Sequence, residues 1–466
     1  MVFFPSDSLH FTLDFVAVLT GLFFLVKSGL HLTSGDYNML HVCLVVFFVM
    51  QALPIAVGWF GDLGAIRAYY PFMFKAMTDV TTGIIYDLFV IVTVALLYWF
   101  SCRFPRYRPF SISDWVNKVK AFRGLTVLIG MLTVFPIIVG VLLAPDPSVY
   151  LQFSYFNINL DIKSSVSFIY DDGVMHLLTY VAFFSTLVSY YCSDSRSKIQ
   201  YVIPVLLITW INGKRTLLLF LLIGFVIIDY LKWDRKDRVY IKVLARKALL
   251  FFGLYIGYYV VYNLITQKAD FADNSLLYTV YFSRLCNVKV AIYDLLYTNS
   301  MLDYPMQSIL YNLLFFVPRS IWPGKPYGYY PYFTSYVFSG VGWNTIKGYG
   351  FQVNLWSEFI SNAGFFGLFL AIGFVVAVIH IAEKSQSVVS YISGTAFIVL
   401  YFAYGFEHIV QMLWILFIIS LVFSWIFKRP EVVESNPRGM EDAPPGSPLI
   451  RQPYPRLDSR KKLRQI

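Results

Sequence analysis

Three basic sites sit in a chain that otherwise has little use for charge. Lys214 and Arg215 lie in "WINGKRTLLL", where Asn212-Gly213 breaks an apolar run and the pair opens the next one. Arg284 lies in the middle of the apolar stretch "VYFSRLCNVK", five residues before Lys289. Arg319 and Lys325 lie in "FFVPRSIWPGKPYGYY", where prolines 318, 323 and 326, with Pro331 just beyond, fix φ and remove backbone donors. A guanidinium stays charged and binds phosphate oxygens in pairs. The Lys-Arg pair begins a helix, where free N–H groups and the helix dipole already favour an anion. A stiff loop loses little entropy when it presents Arg319. Together Arg215, Arg284 and Arg319, with Lys214 and Lys325 beside them, suit a lipid-linked diphosphate if they meet in one cavity. Each site also has a plainer reading: a pair that snorkels to headgroups, an interfacial helix with its charges in water, and a rigid turn with an incidental arginine.

Aromatic residues crowd the same region: Trp322, Tyr327, Tyr329, Tyr330, Tyr332, Tyr336, Trp343, Tyr349 and Trp356. Their faces can stack on sugar rings, although aromatic residues also form ordinary interfacial belts. A proton acceptor for a sugar hydroxyl could be Glu358 or His176, with Asp171, Asp172 and the Glu407-His408 pair as further candidates. Any of these alone could equally be a solvated charge at a helix end. There is no Walker motif, no GxSxG and no DxD pair in a soluble nucleotide-binding domain. A nucleotide-sugar donor on the cytoplasmic side is therefore not expected. Cys43, Cys102, Cys192 and Cys286 stand alone, without the spacing of a disulfide framework or a zinc site. No cofactor or metal is called for.

The elements that must position these residues are membrane helices. Of 466 residues, 58% are hydrophobic and 14% charged, against about 25% charged in soluble domains. Apolar runs near the roughly 20 residues of a bilayer crossing recur along the chain. The fold class is all-α polytopic, with about eleven spans (up to fourteen) near 11–26, 39–60, 83–100, 124–143, 174–192, 197–213, 214–231, 248–266, 360–382, 390–406 and 409–427. The first run has no basic region before it and no cleavage site after it, so it reads as a retained span. Basic residues concentrate in 101–123, 232–247 and the tail from 428. These are short or juxtamembrane segments, which places all three in the cytoplasm. The net charge of +10 thus reports topology, and no nucleic-acid partner is implied.

On this topology the N-terminus is outside. The loop 144–173, with four acids against Lys163, is also outside. Residues 1–266 carry eight spans, and 267–359 form one large outer loop whose apolar stretches 276–297 and 308–317 lie on, or dip into, the outer face. Residues 360–427 carry three more spans, and 428–466 form a disordered basic cytoplasmic tail. The segment 114–123 suits a helix in the inner interface or a solvated loop helix.

"FFVPRSIWPGKPYGYY" resembles the Pro-Arg-Ser-x-x-Pro-x-Lys-Pro loop of bacterial oligosaccharide repeat-unit polymerases of the Wzy type. "FQVNLWSEFISNAGFFGLFLAIG" is similar to the Asn…Glu…Gly-x-x-Gly element of the O-antigen polymerase and ligase superfamily. "NGKRTLLL" resembles the basic pair of that superfamily at a helix start. The resemblance implies an inner-membrane glycosyltransferase acting at the periplasmic face on undecaprenyl-diphosphate-linked oligosaccharides. Arg215 and Arg319 would hold the diphosphate with Arg284 assisting, and Lys214, Lys325, Trp322, Tyr327 and Asn354 would contact substrate. A chain-length regulator is a candidate partner. The ligase branch usually has a His beside the Asn. Here the neighbourhood reads Gln352-Val353-Asn354, which favours polymerase over ligase and leaves the base open, with Glu358 first and His176 second. The competing readings are a flippase of lipid-linked oligosaccharide, with Asp14 and Asp87 as the few charged residues inside spans, and a structural membrane protein.

Overall fold

The computed structural model describes residues 8–34, 37–60, 70–104, 123–143, 178–191 (without 180), 198–232 (without 213 and 214), 238–266, 284–317, 320–342 and 353–384. It also describes positions 67, 147, 351, 394, 397, 398, 401, 405, 406, 409, 410 and 413. Among these residues every regular element is helical.

The chain begins with α1 (Ser8–Ser34), α2 (Met39–Gly58, with a π-helical turn at Phe48–Ala52), α3 (Pro71–Thr78) and α4 (Val80–Arg103). Next come α5 (Arg123–Met131), α6 (Phe135–Leu143), α7 (Val181–Tyr191), α8 (Val202–Asn212), α9 (Arg215–Lys232) and α10 (Arg238–Thr266). The last five are α11 (Leu285–Tyr293, continued by a π-helical turn at Asp294–Thr298), α12 (Gln307–Leu313), α13 (Tyr329–Ser339), α14 (Leu355–Ala363) and α15 (Phe366–Lys384).

Among the described residues, α1, α2, α4 and α15 are long and apolar enough to cross a membrane; α7 and the Leu217–Tyr230 part of α9 are shorter apolar helices. α1 has the pattern a lipid solvent asks for. Leu9, Phe15, Leu19, Leu22, Phe23, Val26 and Leu30 are exposed, while Asp14, Ala17, Gly21 and Ser28 are buried. The inward positions recur at spacings of three, four and seven, which is one helical face. Small residues there let backbones approach: a Cβ added at Gly21 would lie 2.9 Å from the Cβ of Ala52 on α2.

The bundle has two recognisable ends. At one, Asp79 caps α4, its carboxylate accepting from Thr82 N at 2.8 Å. At the other, Asn38 caps α2 and donates from Nδ2 to Ser101 O on α4 at 2.8 Å, and Met39 N donates to Glu383 Oε1 on α15. α1, α4 and α15 all begin at the Asp79 end.

Several expected boundaries change. The span at 124–143 is two nine-residue helices, α5 and α6, separated by a turn at 132–134. Pro136 explains the break, since it lacks an N–H and crowds the preceding turn. α10 starts at Arg238, so Lys242, Arg246 and Lys247, expected before the span, ride on its first turns. Lys247 pairs with Asp229 on α9, which also accepts from Tyr190 OH at 2.7 Å. The span expected at 360–382 begins at Phe366, because Gly364 at φ +61° ends α14 first. α8 ends at Asn212 and α9 begins at Arg215, on either side of the expected break at Asn212-Gly213, whose Gly213 lies outside the described residues. The interfacial segment 114–123 and the tail 428–466 lie outside the described residues, as do most of the spans at 390–406 and 409–427.

Among the described residues the large loop packs as a body, with Leu285 to Ile292 of α11 all buried. Cys286, Val290, Met301, Tyr329, Tyr332, Phe333, Tyr336, Val337, Phe351 and Val353 share one apolar cluster with Met73 and Ala76 of α3. This cap, α3 with α11 to α14, sits at the Asp79 end: Tyr297 OH donates to Asp79 at 3.1 Å. The sequence offered no sign that α3 belongs to it.

Candidate functional site

The cap holds the described part of the expected site. Arg284 precedes α11 in the left-handed conformation, φ 56° and ψ 28°. A non-glycine residue there costs about 1–2 kcal/mol, and such strain persists where the surroundings over-determine it. The surroundings are specific. The Arg284 carbonyl accepts from Asn354 Nδ2 at 3.2 Å and from Asn287 N at 3.1 Å, while its Nη1 donates to Val353 O at 3.5 Å. Only 3% of Arg284 is exposed. It is neither an interfacial charge in water nor an open guanidinium, and it ties α11 to the segment entering α14.

Asn354, expected to contact substrate, is fully buried and used on both sides. Its Oδ1 accepts from Ser357 N at 2.9 Å as the N-cap of α14, and its Nδ2 holds Arg284. Glu358, the first candidate base, is also fully buried. Its Oε1 accepts from Ser308 Oγ at 2.9 Å and Asn312 Nδ2 at 2.7 Å, and its Oε2 accepts from Phe406 N at 2.7 Å. Asn362, one turn on, accepts from Ser308 N at 3.0 Å and donates to Ser308 Oγ at 2.7 Å. These bonds lock α12, α14 and the 405–406 segment together. The sequence carried a signal for this network: 354, 358 and 362 share one helical face, and 308 and 312 share another.

Lys325 is buried as well. Its Nζ donates to Phe315 O at 2.6 Å and Val317 O at 2.9 Å, and lies 5.1 Å from the Tyr311 ring centroid. It staples the proline-rich loop on the N-terminal side of Pro318-Arg319. Trp322 is half-buried, and Tyr327 is 45% exposed with Tyr330 at 44%. Tyr329, Tyr332, Tyr336 and Trp356 are instead core residues. Tyr329 OH meets Ser361 Oγ at 2.8 Å, Tyr332 OH donates to Asp303 at 2.8 Å, and Tyr336 OH meets Thr298 Oγ1 at 2.6 Å. Four of the nine aromatics therefore cannot serve as sugar platforms; their density reflects packing.

Burial pushes the Asp294 carboxyl above its ordinary value, against the opposing bonds from Thr298 and Ser300. It also pushes the Cys286 thiol up to about 12, which leaves that cysteine inert.

Arg319, Lys214 and His176 lie outside the described residues, as do Trp343, Tyr349, Asp171, Asp172, Glu407 and His408. Arg215 is described as the first residue of α9, by its backbone alone. One grouping was not foreseen: Asp14 and Asp87 come together with His10 inside the bundle. The His10–Asp14 spacing of four was its signal. No family model, no curated protein and no solved structure matches the chain.

Proposed function

We propose that this protein is a polytopic glycosyltransferase of the bacterial inner membrane that polymerises undecaprenyl-diphosphate-linked oligosaccharide repeat units at the periplasmic face. The observation that carries the reading is the Lys325 staple. The ammonium holds the carbonyls of Phe315 and Val317 just before Pro318-Arg319, which fixes the backbone leading into the arginine and lowers the entropy lost on binding. Topology agrees. α4 runs from the Asp79 end towards the basic 101–123 segment. If that segment is cytoplasmic, the cap faces the periplasm.

In this mechanism the diphosphate of the growing chain is gripped by Arg319 and by Arg215 at the N-terminus of α9. Their charge stabilises the leaving diphosphate as negative charge builds on it. Arg284 acts from inside the cap by fixing the entry to α14. A sugar hydroxyl of the second lipid-linked unit attacks the anomeric carbon, and a base takes its proton. Three donors already engage the Glu358 carboxylate, which moves His176 to first candidate.

The test is deletion of the gene followed by a gel of surface polysaccharide. Loss of the long-chain ladder with single repeat units retained supports polymerase. Loss of all repeat units would support a flippase or ligase and reject the proposal. The flippase reading draws on one observation, the meeting of Asp14 and Asp87 between helices.

A further inference from the structure

We infer that His10, Asp14 and Asp87 form a binding site for a divalent cation of the zinc–manganese class between α1 and α4. His10 Nε2 lies 3.6 Å from Asp14 Oδ1 and 4.0 Å from Asp87 Oδ2, and one donor atom from each residue lies within 4.8 Å of the others. Tetrahedral coordination with bonds of about 2.1 Å holds donor atoms roughly 3.4 Å apart. Closure around an ion thus needs side-chain shifts of less than about 1.5 Å, within rotamer reach. One imidazole nitrogen and two carboxylate oxygens suit a borderline cation.

Asp87 supplies the independent argument. It is fully buried, and no group donates to its carboxylate oxygens except a neighbouring Asp14 carboxyl when one of the two acids is protonated. An ionised carboxylate without a donor is among the costliest groups to bury. Asp14 adds to the cost, because it brings a second negative charge and, when ionised, no proton to share. Lys289 of α11 contributes positive charge nearby, with its Nζ 5.5 Å from the Tyr86 ring centroid, but it makes no ion pair with Asp87. A cation seated among the three donors satisfies both acids at once.

Two surrounding features fit a ligand shell. Trp59 Nε1 donates to Asp14 Oδ2 at 3.2 Å. This fixes the carboxylate and leaves Oδ1 turned to His10, as outer-shell donors do for metal-bound acids. Gly83 leaves the room that the imidazole occupies, since a Cβ there would overlap the His10 ring. α1 lays His10 and Asp14 on one face at a spacing of four, and α4 brings Asp87 one turn beyond Gly83. The site stands independently of the polymerase reading.

The test uses the full-length protein in detergent, stripped with chelator and then offered Zn2+ or Co2+. Wild type should retain one equivalent of zinc through gel filtration, measured by elemental analysis. Bound Co2+ should show the visible absorption of a low-coordinate nitrogen–oxygen site. Asp87→Asn should lower zinc affinity at least tenfold. Gly83→Ala keeps all three ligands but displaces the imidazole, and should lower it as well. Zinc should raise the melting temperature of wild type and not of Asp87→Asn, which keeps the test readable if that variant folds poorly. Failure of wild type to retain zinc or to be stabilised by it would overturn the inference, leaving a proton shared by the two acids. Undiminished zinc binding in both variants would also overturn it, by placing the metal elsewhere.

Discussion

Replacing Glu358 separates a structural carboxylate from a catalytic one. In Glu358→Ala, Ser308 Oγ, Asn312 Nδ2 and Phe406 N lose their shared acceptor. A stranded buried donor costs about 1–3 kcal/mol, so three cost about 3–9 kcal/mol before any cavity term. Set against a total stability of about 5–15 kcal/mol, the variant should accumulate poorly and melt far below wild type. Glu358→Gln keeps one carbonyl oxygen for Ser308 and Asn312 but turns an amide N–H2 towards Phe406 N–H. It should lose about 1–3 kcal/mol and retain a measurable share of chain growth. Removing Asn312 together with Glu358 should recover part of the loss, because paired deletions leave fewer donors stranded. The assay is thermal unfolding of detergent-solubilised protein at one scan rate, since irreversible melts depend on the rate. The polysaccharide ladder is scored in parallel. A Glu358→Ala protein that melts like wild type refutes the network argument. A Glu358→Gln protein of full stability with no chain growth returns Glu358 to the role of base.

Other outcomes follow from the same geometry. Gly405→Ala should mimic the Glu358 defect, because the added Cβ would lie 2.8 Å from Glu358 Oε2 and 2.6 Å from Val353 Cγ2; normal melting would show that the 405–406 segment yields. The raised Asp294 carboxyl stabilises the folded cap below the ordinary aspartate value of about 4 and loses that contribution as pH rises through its folded value. Asp294→Asn should therefore gain on wild type in melting temperature between pH 4 and pH 8; a constant difference would show that Asp294 does not titrate in that window. Arg319→Ala should abolish chain growth with normal abundance of protein, and Arg319→Lys should restore little. If both keep normal ladders, the proline-rich loop is scaffolding. Lys325→Met removes the bonds to the carbonyls of Phe315 and Val317 and should lower chain growth without eliminating it, while unchanged growth would deny the staple a role.

The sequence announced the helices better than their partners. The apolar runs expected at 11–26 and 83–100 fall inside α1 and α4, which continue past them at both ends, because composition marks the apolar centre of a span and not where its helix stops. The divided 124–143 run shows where this fails, since one proline breaks a helix that fourteen hydrophobic residues would otherwise favour. Side-chain roles were harder to read. Arg284 looked like a charge seeking a ligand, yet it is held by Asn354, 70 residues on, and no local pattern reports so distant a partner. The tyrosines of α13 looked like a surface because tyrosine suits both a sugar platform and a core with polar tips; only burial separates the two. The 354–358–362 and 308–312 spacings were legible, but nothing in the chain said that the two faces meet.

α4 is tied near its start and at its end: Tyr297 holds Asp79, Tyr86 OH in the second turn reaches Gln51 O at 2.9 Å and Gln51 Oε1 at 3.0 Å, and Asn38 holds Ser101 in the last turn. A piston stroke of one helical turn, about 5.4 Å, would sever all three moorings at once. Any rearrangement that keeps these bonds must therefore carry α4 together with Tyr297 of the cap and with Gln51 and the N-cap Asn38 of α2.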